Sequence, residues 1–259
     1  MSFTLDHVVV AVTDLDRAIA DWRNLGFTVT PGGDHTNGVS HNALVVFADG
    51  TYFELIAYRA PVPENRWWRR LTESGEGFVD FALLPASIAR DADAARARGL
   101  DLVGPSPGGR LRPDGVRLDW QVARPATADL PFWCADVTPR ALRVPEGDGR
   151  LHANGVVGIA RVTVAVRDLA ASAARWRRLL GDGAVRVAGA LVAVDLADTR
   201  VELVDARDAG AAAHLAGRGE GVVRVALAGL RAERLDPAAS HGAALTIEPA
   251  AARAGGAPP

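Results

Sequence analysis

The sequence predicts an α+β protein built from tandem βαβββ modules in two pairs. Three observations carry that prediction: a long internal repeat, a strand-helix-strand pattern within each repeat, and enough apolar residues to form a core. The chain has 259 residues, of which 49% are hydrophobic and 23% charged. That balance belongs to globular proteins rather than disordered or fibrous ones. Length alone leaves one or two domains open.

The repeat is read directly. Residues 5–15 reappear as residues 159–169, and at the same offset of 154 residues Trp22 and Leu25 fall on Trp176 and Leu179. With small deletions, residues 51–56 match 199–204 and residues 75–83 match 219–227. Several matches in one order point to duplication. A fainter repeat at 73 residues lays His7 on Asp80, Leu15 on Ile88 and Gly26 on Gly99, so the unit is short.

In the first unit the β-branched run 8–12 reads as a strand, and Leu15, Ile19, Trp22 and Leu25 line one face of a helix. Asp14 suits its N-cap and Gly26 its end. Strands follow at 27–30, 43–47 and 52–57, with Asp49-Gly50 as a hairpin turn. The second unit, 78–137, offers a helix at 86–98 and strands near Leu102, at 116–123 and at 132–135. Expected boundaries are a first domain at 1–138, a linker at 139–157 whose Gly- and charge-rich part is 145–155, a degenerate second domain at 158–249, and a disordered tail at 250–259. The fourth unit, 222–249, is short and eroded.

Composition excludes several chemistries. All 29 basic residues are arginine; without lysine there is no Schiff base, pyridoxal phosphate anchor or Walker phosphate loop. Cys134 is the single cysteine, so neither an intramolecular disulfide nor a thiolate zinc cluster is available. Residues 1–6 show no secretory signal, and Arg161 interrupts the longest apolar run, so a cytoplasmic protein with no membrane partner is expected. A net charge of -2 without a basic stripe argues against nucleic acid. The expected partner is a small molecule, and a homodimer stays open.

A module opening with Leu5-Asp6-His7 and a β-branched run, with Asp14-Leu15 at the helix start and Phe53-Glu54-Leu55 in the last strand, resembles the vicinal oxygen chelate superfamily. More narrowly, Pro31-Gly32-Gly33-Asp34-His35, His41-Asn42-Ala43-Leu44 and residues 52–57 are similar to bacterial glyoxalase-like domain proteins, of the glyoxalase, bleomycin resistance and extradiol dioxygenase type. The close resemblance covers residues 4–137, and the superfamily pattern alone extends over 158–205. The resemblance implies paired modules forming a cupped, incomplete sheet around a divalent metal, with ligands from first and last strands. Carried over, His7 and Glu54 take those positions in module one, and Asp80 takes the first-strand position of module two. The remaining position falls near Trp133 or Cys134, neither a usual ligand of the family.

Strand periodicity puts His7 with Val9 and Ala11, His41 with Ala43, Val45 and Phe47, and Glu54 with Ile56 on single faces. A polar group on an apolar face costs about 2–7 kcal/mol to bury unsatisfied. A cation held by His7, Glu54 and Asp80 or His41 would offset that cost, and such donors suit zinc, iron, nickel or manganese. His41 is the candidate proton carrier. The resemblance implies a metal-dependent enzyme, a lyase, isomerase or dioxygenase acting on vicinal oxygens. The alternative is a metal-free protein that sequesters a drug or other small molecule, with His7 hydrogen-bonded to Glu54 or Asp80. His35, among glycines, is expected in a loop.

In the second half Arg161 replaces His7 and Arg224 replaces Asp80, while Glu202 is retained opposite Glu54. Guanidinium groups have no lone pair for a cation. That half is therefore expected to be metal-free, a scaffold in which both arginines pair with Glu202, or a site for an anion. Residues 64–71 read as a helix over the mouth of the cup, able to offer an arginine to a substrate carboxylate.

Overall fold

The structure is a computed structural model that describes residues 3–250. The first module contains β1 (Phe3–Ala11), α1 (Leu15–Asn24), β2 (Thr30–His35), β3 (Ser40–Val46) and β4 (Tyr52–Tyr58). After α2 (Arg66–Ser74), the second contains β5 (Gly77–Pro85), α3 (Ile88–Ala97), β6 (Leu102–Leu111), β7 (Arg117–Pro125) and β8 (Phe132–Asp136). These eight strands close into a barrel in the order β1-β4-β3-β2-β6-β7-β8-β5. The two modules meet along β1 and β5, which run antiparallel, and along β2 and β6, where Asp34 pairs with Leu111 and His35 with Arg110. That second seam closes what the resemblance implied would be an incomplete cup.

The segment expected as a linker carries structure: α4 (Arg140–Arg143) and a short 3-10 turn at Gly147–Arg150. The second half follows with β9 (Gly158–Ala165), α5 (Leu169–Leu180), β10 (Val185–Ala188), β11 (Leu191–Leu196), β12 (Thr199–Val204), α6 (Ala209–Gly217), β13 (Gly221–Gly229), β14 (Glu233–Arg234) and β15 (Leu245–Pro249). It forms an open seven-stranded sheet, β10-β11-β12-β9-β13-β15-β14. The fourth module has no helix between β13 and β15 and too few strands to close a barrel, so the duplication is unequal. Of the tail expected to be disordered, residues 251–259 lie outside the described residues; Ala250 still donates its N–H to the carbonyl of Gly229.

Packing follows strand alternation. Val8, Val10, Phe53 and Leu55 point outward into a large core beneath the helices, whereas Val9, Ala11 and Ile56 point into the barrel. The outer core is continuous across the halves: Trp22, Trp133 and Trp176 are fully buried, and Phe81 stacks on Trp176 at 6.3 Å. The helix starts behave as the sequence suggests. Asp14 and Asp168 each accept backbone N–H bonds at the first turns of α1 and α5. Strand β2 differs from expectation, beginning at Thr30 where the predicted strand ended. Phe27 and Val29 are buried, but Phe27 N–H bonds the carbonyl of Trp22 and Thr28 N–H bonds His152, so neither joins a ladder.

Candidate functional site

A cavity of about 250 Å³ fills the barrel. His7, His35, Asn42 and Glu54 lie on its wall, with Trp67, Trp120 and Phe132 among its aromatic lining.

His7 reaches this wall through an irregularity in β1. Pairing with β5 skips from Leu5–Leu83 to His7–Ala82, leaving Asp6 as the extra residue of a bulge. Neighbouring side chains on a regular strand point to opposite faces, and the bulge lets them meet. Asp6 Oδ2 accepts a 2.7 Å hydrogen bond from His7 Nδ1. Asp6 is fully buried, and it is matched by Arg143, which donates to both carboxylate oxygens at 2.8 and 3.1 Å, and by Arg140 at 2.6 Å. Burial opposes its charge, but Arg143 and the hydrogen bond from His7 hold the carboxyl well below the usual range. Burial also disfavours a charged His7, yet Asp6 and Glu54 raise its pKa. The His7 ring stacks on Tyr52 at 4.6 Å.

Glu54 receives three neighbours. Asn42 Nδ2 donates to Oε1 at 2.7 Å, His35 Nε2 lies 3.4 Å from Oε1, and His7 Nε2 lies 3.5 Å from Oε2. Burial would raise this carboxyl; His35 and His7 outweigh it and hold it well below its ordinary value. His35 has its Nδ1 3.1 Å from Ser40 Oγ, so its Nε2 is the side turned to Glu54. The expectation that His35 occupies a loop is thus corrected: it ends β2 and faces the cavity. The glycines before it make that placement. A side chain on Gly32 would strike Asn42, and Gly33, at φ +122°, would drive a Cβ into the carbonyl of Leu111. The same pair forms a bulge against β3 that re-aims the end of the strand.

The structure does not bring the other two sequence candidates to this group. Asp80 accepts hydrogen bonds from Arg66 and from Trp67 Nε1, and its second oxygen takes the N–H of Phe81. It is buried in an ion pair with Arg66 beneath α2, and its hydrogen bonds go there rather than to Glu54. His41 lies on the opposite face of β3: Ala43, Val45 and Phe47 belong to the outer core, while Ser40, Asn42 and Leu44 line the cavity. Cys134 also lines the cavity, and burial pushes its thiol up to about 12, so it stays protonated at neutral pH. Among the described residues, no group of three or more His, Cys, Asp or Glu side chains is placed so that it could hold a metal ion.

In the second half Arg161 Nε lies 3.4 Å from Glu202 and also pairs with Glu248. Arg224 instead meets Asp208, a correction to the expected three-residue cluster. No helix of the described residues is long and apolar enough to cross a membrane.

Comparison with solved structures agrees on the architecture. A hypothetical protein from Staphylococcus aureus superposes with a TM-score of 0.75 at 16% identity, covering 95% of this chain and 99% of that one. A variant of 4-hydroxymandelate synthase from Streptomyces coelicolor gives 0.58 at 14%, covering 86% and 70%. A fusion of a xylose isomerase-like TIM barrel with 4-hydroxyphenylpyruvate dioxygenase gives 0.54 at 16%, and there 86% of this chain spans 36% of the other. At such identities the likeness is one of fold. No curated protein matches the chain. A family model described as a glyoxalase-like domain matches residues 5–180, over half of the chain. Barrel, paired modules and family match agree: the chain belongs to the glyoxalase-like domain family, within the vicinal oxygen chelate superfamily.

Proposed function

We propose that the barrel is the active site of a divalent-metal-dependent enzyme, of lyase, isomerase or dioxygenase type, acting on a small molecule with adjacent oxygens. The observation that carries this reading is the grouping of His7, His35 and Glu54. Two imidazoles, each held at Nδ1, turn Nε2 toward one buried carboxylate at 3.5 and 3.4 Å. Those separations are long for N–H···O bonds. They are close to the ~3.3 Å between two donors sharing a tetrahedral cation at bond lengths of ~2.0–2.1 Å. Two histidines and a carboxylate suit zinc, nickel, manganese or iron(II), and the same set serves non-haem iron oxygenases. The fit lies in donor chemistry, since the two nitrogens face different oxygens of Glu54.

A metal held by His7, His35 and Glu54 would polarise a substrate oxygen and stabilise negative charge developing there. The chain's own residues prepare for that. Asp6 fixes the Nδ1–H tautomer of His7 and leaves the Nε2 lone pair toward the cavity, the usual support of a ligating histidine. Asn42 orients Glu54. Trp67, Trp120 and Phe132 narrow the cavity and limit water around the reacting atoms.

One observation favours the metal-free alternative: the hydrogen bond from Asn42 already satisfies one oxygen of Glu54. Metal titration separates the two readings. Stripped protein should take up one equivalent of zinc, iron(II), nickel or manganese and gain stability, about 2.7 kcal/mol at a hundredfold excess over Kd. His7→Ala, His35→Ala and Glu54→Gln should each lose that uptake, while Glu202→Gln keeps it. No uptake by the unaltered protein, or equal loss from Glu202→Gln, would overturn the enzyme reading in favour of a binding protein.

A further inference from the structure

The three arginines that line the cavity differ in what holds them. Arg143 is committed to Asp6, Asp136 and Tyr52. Arg110 donates to the carbonyls of Gly32 and Arg143. Arg124 has no such partner among the described residues, and meets aromatic rings instead. Its guanidinium carbon lies 5.8 Å from the centre of Trp67 and 5.4 Å from that of Phe132. Asp80 is close enough for its charge to act on Arg124, but that carboxylate is already taken by Arg66 and Trp67. Arg124 follows Trp120 and Val122 at alternate positions of β7, and all three line the cavity.

A guanidinium steadied by two rings, with no protein acceptor for its N–H groups, is prepared for an anion. We propose that Arg124 anchors the carboxylate of a small organic monocarboxylic acid, and so sets the substrate class of the cavity; this rests on the reading of the cavity as the binding site. The planar N–H fork matches two carboxylate oxygens. A phosphate dianion would find one unengaged cation here, and its second charge would go unmatched. The body of the acid is apolar or aromatic, because Ile56, Trp67, Trp120, Val122 and Phe132 line the cavity, two of them against the guanidinium itself.

The test uses the full chain and three matched pairs of probes: benzoate, phenylacetate and 3-phenylpropanoate, each against its neutral amide, measured by calorimetry with and without added zinc. At least one acid should bind about tenfold or more tightly than its amide, and Arg124→Gln should abolish that preference while leaving the Tm and the binding of the amide unchanged. Absence of an acid preference in all three pairs, or a preference that survives Arg124→Gln, overturns the proposal. Failure of the metal reading shows separately. An Arg124-dependent acid preference in protein that takes up no metal would leave the anchor standing and remove the enzyme proposal.

Discussion

Asp6 and Arg143 form the ion pair on which the orientation of His7 depends. Both are almost fully buried, and two hydrogen bonds join the guanidinium to the carboxylate. Removing one partner of such a pair leaves the other charge uncompensated, a loss of about 3–5 kcal/mol. Arg143→Met should therefore destabilise the protein by about 3 kcal/mol, the lower end because Arg140 remains on Asp6. Urea unfolding measures this, and a loss below ~1 kcal/mol would show that Arg140 suffices. At this scale the sequence was partly legible. The pairing of a first-strand His7 with a last-strand Glu54 follows from module pattern and resemblance. The role of proton carrier would put His41 in the lumen, although its face also carries Ala43, Val45 and Phe47, a core signature. Ser40 and Asn42, polar at alternate positions on the other face, were the better signal. Arg143 left no signal at all, because it meets Asp6 across more than a hundred residues of chain.

Among the elements, helices were easier to read than strands. An acidic cap and a repeating apolar face locate α1 and α5 from local information. Strand β2 escaped because Pro31-Gly32-Gly33 has turn composition, and only its tertiary neighbours reveal a bulged strand. Helix α6 carries a further consequence. His214 Nε2 is buried without a hydrogen-bond partner. Burial, with the charges of Arg70 and Arg218, lowers its pKa to about 4. A histidine lowered this way binds fewer protons folded than unfolded between the unfolded value of about 6.5 and about 4. Its contribution to stability is thus complete above that window and falls as pH drops through it. His214→Asn should flatten the decline of Tm over that window relative to the unaltered protein, and parallel curves for the two would refute the assignment.

On the scale of the whole molecule, the duplication was visible as repeated sequence, but its unequal outcome was not. Strand closure depends on pairings such as His35 with Arg110, which link distant segments. The two halves nonetheless share one core, and arginines clasp the join. Arg218 donates to the carbonyls of Ser74, Gly75, Glu76 and Phe78, and Arg70 reaches those of Arg218 and Glu220. We predict a single calorimetric unfolding transition for both halves, with calorimetric and van't Hoff enthalpies equal; two resolved transitions would contradict the shared core. Phe81 leans on Trp176 while its neighbour Ala82 packs in the inner cluster with Val9. The half that traded histidine for arginine is therefore the abutment of the other's wall, and residues that never meet a ligand there still constrain the shape of the chamber that does.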